Sequence, residues 1–384
     1  MEANFPPHQS VRDTCRSSPS GCLTTRGRYV KSMVNFLETL TDPTMTHLLL
    51  RHAERLLAYI RPFPKIARKL LKLSLQVFGS VESNRVQAFF LVRRLAVEMP
   101  YPFIDGCYKG LYLTYVRHCK FTNLNVIEGQ AFMAQCVVEL FGLDKNIAYE
   151  HSFVYIRQMA IQLRSAITTS ASKNAHKVIS SWQYLNSLKL WGRMLSSYPG
   201  KDALGPLVYP LVQIALGVLT YLNAPKHLPL RLQVCQVLVR VQRHCEVYIP
   251  LSPHILDIFT KRDLHNTSVK AGSHPHDFQV GIKVSKTVLS TRLYQEAAFE
   301  ETLKTLVLFY GSCCYSPSFP ELVVPCIMQL RLFAKATQVS RFRRQVKDVI
   351  ERFERNASFI ARLRNSSSIS PQEVLPINAL QSAD

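Results

Sequence analysis

The side chains that could carry chemistry are few in this chain, and their spacing argues against most of it. Gly200 and Gly205 come nearest to a phosphate-cradling loop, but Pro206 and Leu207 follow where a lysine and a hydroxyl residue would have to hold a nucleotide and its magnesium. No serine lies between flanking glycines as a nucleophile elbow requires, and no helix carries the His-Glu-His pattern of a zinc protease. Tetrahedral metal binding needs Cys and His side chains that converge. Cys313 and Cys314 are adjacent, which suits two packing positions. His265, His274 and His276 share one polar loop and Cys245 follows His244, yet no paired-cysteine spacing joins them into a site. Glu300 with Glu301, and Glu351 with Glu354, lie on strongly periodic segments and read as solvated faces or ion-pair partners, not as a general acid and base. The expectation is a non-enzymatic chain with no catalytic, cofactor-binding or metal-binding residues and no small-molecule substrate.

What remains is charge. Of 384 residues 47 are Lys or Arg and 26 are Asp or Glu, a formal net charge of +21. Such an excess attracts phosphate backbones, anionic lipid or acidic protein without choosing among them. Between Arg331 and Arg364 ten basic residues face three acidic ones, and between Arg51 and Arg94 ten face two. Basic helix faces neutralise phosphates without reading base sequence; solvated faces, or charges paired to an acidic partner protein, are the other use of the same residues. The rings of Tyr149, Tyr155, Trp182, Tyr184 and Trp191 cluster in sequence, at helical spacing that suits a core better than base stacking.

The elements that must position these groups read as helices. Pro43, Pro62, Pro100, Pro199, Pro225, Pro250 and Pro317 punctuate apolar-periodic stretches, each ending or beginning a helix. From Ala148 to Ile167, the residues Phe153, Ile156, Ala160, Leu163 and Ile167 recur at intervals of three and four. Arg157 and Arg164 lie off that stripe and are candidates for contact with RNA or a partner. A second stripe holds Val178, Trp182, Leu185, Leu188, Trp191 and Leu195, and a third Val346, Ile350, Phe353, Ala357 and Ile360. Phe278, Val280, Ile282 and Val284 alternate, giving at most one short extended segment near 278–284.

Residues 1–32 read as a flexible lead, 33–364 as a helical-repeat domain with a polar loop insertion at 262–277, and 365–384 as a disordered, Ser-containing tail. Residues 203–225 carry no charge and could be taken for a membrane span, but Pro206, Pro210, Gly205, Gly217, Gln213 and Asn223 make them a buried helix of a chain without a membrane partner. Ten scattered cysteines, mostly within apolar stretches, indicate a reducing compartment. Amphipathic helices in antiparallel pairs joined by short Pro-containing turns suit two-helix repeats of about 40–47 residues. The fold expected is therefore all-α, an irregular HEAT/armadillo-like helical-repeat solenoid, with a compact bundle as the alternative. No clean sequence repeat is visible.

Particular runs resemble a known family. Ala148-Tyr149-Glu150-His151-Ser152-Phe153-Val154-Tyr155-Ile156-Arg157-Gln158, Ser181-Trp182-Gln183-Tyr184, Leu190-Trp191 and Leu207-Val208-Tyr209-Pro210-Leu211-Val212-Gln213 are similar to the core of the nucleolar complex protein 2 family. Pro229-Leu230-Arg231, Tyr248-Ile249-Pro250-Leu251, Phe319-Pro320-Glu321-Leu322 and Arg341-Phe342-Arg343-Arg344-Gln345-Val346-Lys347 follow in the same order, so the likeness covers Val34 to Arg364. The resemblance implies a helical-repeat scaffold of ribosome biogenesis, located in nucleus, nucleolus and nucleoplasm, with sister nucleolar complex proteins of the 1 and 3 types, the pre-60S particle and pre-ribosomal RNA as partners. Because its Arg-Phe-Arg-Arg-Gln block falls in the basic stretch, Arg341, Arg343, Arg344 and Lys347 are the leading candidates for RNA or partner contact. Family members carry a long charged extension before the helical core where this chain has about 33 residues, so it reads as a short or N-terminally truncated member. A chromatin or transcription adaptor binding acidic protein tails or DNA is the competing function.

Overall fold

A computed structural model describes residues 19–80, 82–168, 173–200, 203–259 and 277–366; their regular elements are α-helices and two 3-10 turns, so the fold is all-α. The chain divides into two compact units, Met1–His118 and Cys119–Asp384.

The first unit holds α1 (Pro19–Thr39), α2 (Pro43–Arg55), α3 (Leu57–Ile60), α4 (Pro64–Ser80), α5 (Arg85–Glu98) and α6 (Phe103–His118). Local chemistry sets the starts: Asp42 accepts the Met45 N–H at 2.7 Å and Pro43 follows with its φ already helical. Helix α1 begins inside the 1–32 segment that composition marks as a lead, because Val30, Met33, Val34 and Leu37 form a buried stripe at helical spacing; residues 1–18 lie outside the described residues. Lys69 of α4 reaches Asn35 and Glu38 of α1, while Leu71 and Gly79 of α4 face Gly106 and His118 of α6. Lower numbers meet lower numbers, so α1, α4 and α6 run side by side in one direction. Asn84 at the start of α5 donates to the Pro43 carbonyl and Gln87 to Glu54, which makes α2 and α5 a second parallel pair.

The second unit holds α7 (Leu124–Phe141), α8 (Lys145–Thr168), α9 (Lys173–Ile179), α10 (Trp182–Ser197), α11 (Val208–Tyr221), α12 (Leu228–Cys245), α13 (Ser252–Leu256), α14 (Lys286–Leu289), α15 (Arg292–Gly311), α16 (Phe319–Ala336) and α17 (Ser340–Ser366). The same logic orders it. Arg193 of α10 and Tyr198 just after it donate to Ala131 and Val138 of α7; Lys189 of α10 donates to Gln233 of α12; Gln236 of α12 donates to Glu301 of α15; Arg341 of α17 donates to Glu300 of α15. Helices α7, α10, α12, α15 and α17 therefore form one parallel row. Helix α8 packs on α10 in the opposite sense, with Ser152 beside Met194 and Tyr184 donating to the Met159 carbonyl, and α16 opposes α17. This is a stack of helical pairs, as in a helical-repeat solenoid. Matching contacts are 44 residues apart between α10 and α12 and 41 between α15 and α17, but 62 between α7 and α10 and 65 between α12 and α15. Extra segments at those two steps break the period, which is why no clean repeat shows in the sequence.

Helix α12 lies within this stack and is buried on nearly every side, so its polar side chains need internal partners. Gln233 donates to the Phe278 and Gly281 carbonyls while accepting from Lys189, Gln242 bonds Ser312 and the Ile249 N–H, and Arg231 reaches Asp257 and the His254 carbonyl. Phe141, Trp191 and Phe299 are among the largest fully buried side chains.

Several sequence expectations shift. The buried face of α8 is Ala148, Ser152, Ile156, Met159, Leu163 and Ala166, so Phe153 and Ile167 point outward. The second stripe spans two helices broken at Ser180–Ser181, where Ser181 caps α10 through the Tyr184 N–H; Val178 is exposed and Trp182 only half-buried. The α17 stripe holds, with Val346, Ile350, Phe353 and Ile360 buried. Residues 278–284 turn at Phe278–Val280 and bend at Ile282 without forming a strand, tied by the Val284 N–H to the Lys226 carbonyl at 2.9 Å. Of the loop 262–277 only Asp277 is among the described residues, and of the tail 365–384 only the end of α17; His265, His274 and His276 lie outside them. Among the described residues no helix is long and apolar enough to cross a membrane. Cys107, Cys235, Cys245, Cys313, Cys314 and Cys326 are free thiols, and burial pushes Cys107, Cys235 and Cys326 up to about 12.

Candidate RNA and partner surfaces

The basic segment of α16 and α17 is divided between internal and outward duties. Arg331 pairs with Glu354, and Arg364 donates to Glu321 at 2.7 Å and to the Pro317 carbonyl at 3.3 Å, fixing the antiparallel register of the two helices. Arg364 beside it holds the Glu321 carboxyl below the usual range. Arg341 pairs with Glu300 and Glu296 across to α15, and Arg343 donates to the Ala334 and Thr337 carbonyls, capping the end of α16. Arg344 and Lys347, three residues apart on α17, are exposed. Of the four basic residues in this block, two hold helices together and two face solvent.

Arg157 and Arg164 are exposed on α8, and their setting differs in kind. Val154 (60% exposed), Arg157, Ile161 (49% exposed) and Arg164 recur at intervals of three and four, so apolar and guanidinium groups alternate along one outward seam. Helix α16 shows a second outward stripe, Val324, Met328 and Leu332, four residues apart. These rows leave apolar side chains in contact with water on helices already buried on their other face, and arginine among apolar groups is a composition common at interfaces.

A third surface escaped the sequence reading. In the first unit, Arg68 and Lys72 of α4 and Arg117 and His118 of α6 line a groove of about 510 Å³ that contains no carboxylate. Composition singled out the basic run through α4; only the parallel packing of α4 on α6 brings Arg117 and His118 to it. Gly79 permits that approach, since a Cβ there would lie 2.6 Å from His118 Cε1. Among the described residues no three His, Cys, Asp or Glu side chains converge as metal ligands. A cavity of about 720 Å³ beside Tyr198, Leu204 and Val247 is lined mainly by apolar groups.

Comparison with known proteins places these surfaces in context. The family model described as the Noc2p family matches residues 102–383. Nucleolar complex protein 2 of Drosophila melanogaster is 29% identical over 351 residues, covering 91% of this chain and 45% of that protein. Nucleolar complex-associated protein 2 of Arabidopsis thaliana is 30% identical over 347 residues, 90% of this chain and 45% of that one. An uncharacterized NOC2 family protein of Schizosaccharomyces pombe is 31% identical over 352 residues, 89% and 50% respectively. The chain spans about half the length of the curated relatives it matches.

Proposed function

The chain belongs to the Noc2p family, and from that premise we propose that it is a non-enzymatic scaffold of ribosome biogenesis in the nucleolus and nucleoplasm. In this reading it assembles large-subunit (60S) precursors and supports their transport within the nucleus, by holding sister nucleolar complex proteins of the 1 and 3 types together with pre-ribosomal RNA. The observation that carries the reading is the α8 seam, where Val154 and Ile161 alternate with Arg157 and Arg164 on an outward face of the stack. An apolar row of that kind fits a helix of another protein. Arg344 and Lys347, and the groove at Arg68, Lys72 and Arg117, offer cations for phosphate contacts that position RNA without reading its bases.

The test is affinity purification of the tagged protein from nuclear extract at moderate and at high salt, with proteins and RNA identified. Sister nucleolar complex proteins with large-subunit precursor RNA, the RNA weakening as salt rises, support the assembly role. Histones or transcription factors without ribosomal precursors would replace it with the chromatin-adaptor reading.

A further inference from the structure

Five basic side chains are linked by ring contact or by charge repulsion around α9, the end of α11, the turn Pro225–His227 and the 277–285 segment. The His227 ring is 1% exposed, and among the described residues neither of its nitrogens has a hydrogen-bond partner. Its centroid lies 5.3 Å from that of His176, which in turn packs on Tyr221 at 5.7 Å. The Val284 N–H bonds the Lys226 carbonyl, setting the exposed Lys283 beside Lys226, and the exposed Lys177 follows His176 on α9. Burial and neighbouring cations act together here: Lys226 and Lys283 depress both imidazoles, and Lys226 and Lys177 depress Lys283. Among the described residues no carboxylate figures in the charges that act on these groups.

Such an arrangement is costly as it stands. A buried imidazole with no partner forfeits hydrogen bonds that water would have supplied, and lysines gathered without a counter-charge repel one another. The turn Pro225–His227 also leads directly into α12, whose positive end adds to the field. One chemical group relieves all of this: a tetrahedral oxyanion accepts from an imidazole N–H and from several ammonium groups at once. We propose that His176, His227, Lys177, Lys226 and Lys283 form a binding site for a phosphate group. The site is independent of the outward surfaces on α8 and α17. Its phosphate comes either from an RNA backbone, in which case it rests on the assembly reading, or from free phosphate.

The test uses the purified full chain with its histidine imidazoles observed by 15N NMR, titrated separately with inorganic phosphate and with a short RNA duplex. Binding at the site moves the His176 and His227 resonances together. The double variant Lys226→Gln/Lys283→Gln, both positions exposed, weakens that binding by about tenfold or more because charge-assisted contacts are lost. Lys335→Gln, on α16, leaves it unchanged. Shifts induced by RNA and not by inorganic phosphate at matched phosphate concentration assign the backbone as the source; shifts from inorganic phosphate alone assign the free anion. If neither probe moves these imidazoles, the site does not exist, and RNA binding that persists beside unmoved imidazoles overturns the site while leaving the assembly role standing.

Discussion

The indole of Trp191 lies nearly parallel to the phenol ring of Tyr155, centroids 5.9 Å apart and planes at 18°, so the middle of α10 is clamped onto α8. Phe141 of α7 meets the same indole edge-on at 5.9 Å. Three helices thus share one fully buried ring. Trp191→Ala is expected to cost about 3–5 kcal/mol, the range for removing a large buried aromatic. Trp182, on the same sequence stripe, starts α10 half-buried with Lys189 5.8 Å above its ring. Its replacement by Ala should cost less, about 1–2 kcal/mol, the scale of a cation–π contact to a part-buried lysine on a half-buried ring. Urea denaturation midpoints of the two variants decide between them, and equal losses would mean that the two rings share one role.

Helices α10 and α12 approach closely because position 192 has no side chain. A Cβ on Gly192 would lie 2.5 Å from Cγ1 of Val237, a branched and buried neighbour that has little room to turn. Gly192→Ala should therefore destabilise by about 1–3 kcal/mol, as overpacking does. Val237→Ala opens the same space, so the double variant should lose less than the sum of the single losses. Additive losses in the thermal melts would show that the helices separate to admit the methyl group.

Arg343 and the pair Arg344 and Lys347 are neighbours in sequence with separate duties. Arg343→Ala removes hydrogen bonds to the Ala334 carbonyl of α16 at 3.1 Å and to that of Thr337, just beyond it, at 2.7 Å, and should lower the melting temperature. Arg344→Ala with Lys347→Ala touches only exposed groups, and the melt should not move. RNA affinity should instead weaken, with the slope of log K against log salt reduced by about 0.9 for each phosphate contact removed. An unchanged slope would place RNA elsewhere on the molecule.

How much of this was legible beforehand can be judged residue by residue. The all-α class and the helix breaks at Pro43, Pro100, Pro199 and Pro317 follow from backbone chemistry that acts within a few residues, and sequence displays it directly. Periodicity fixes the α17 face but not that of α8, because Phe153 and Ile167 complete an apolar stripe as well as Ser152 and Ala166 do; the packing of α8 on its neighbours, Ser152 beside Met194 of α10, selects the small residues. Arg341 and Arg343 looked like their neighbours Arg344 and Lys347, since the carboxylates and carbonyls that engage them come from α15 and α16. The groove at Arg117 and the cluster at His227 were invisible for the same reason: each joins residues far apart in sequence through helix stacking. The residue blocks that carry the resemblance end at Arg364, whereas the family match extends to residue 383.

Acid should act on the second unit through His227. Burial, with Lys226, His176 and Lys283 facing it, holds this imidazole down to about 4, against an ordinary value of 6.5. Above 6.5 neither the native nor the unfolded chain carries the proton, and stability is at its plateau. As pH falls from 6.5 towards 4 the unfolded chain takes up a proton that the native chain refuses, so stability declines across that window. In phosphate-free buffer His227→Leu should flatten this part of the profile when denaturation midpoints are compared at pH 7 and pH 5. A wild-type profile that is already flat there would show that His227 takes its proton as readily in the native chain.

The α8 seam makes the most direct claim on a partner, and it can be separated from folding. Val154 and Ile161 project outward while Ile156, two positions after Val154, is buried in the stack. Val154→Asp with Ile161→Asp places charge only where solvent already reaches, so the melting temperature should stay near wild type. Ile156→Asp places the same charge in the core and should unfold the unit, because a buried unpaired carboxylate has no compensating contact. Partner affinity should fall by about tenfold or more in the seam variant, since each new carboxylate would be desolvated against apolar partner surface with nothing to pair it. Recovery of nucleolar partner proteins with the tagged variants, quantified against wild type, reads this out. Full recovery with the seam variant would move the partner to another face, with the Val324, Met328 and Leu332 stripe on α16 as the next to alter.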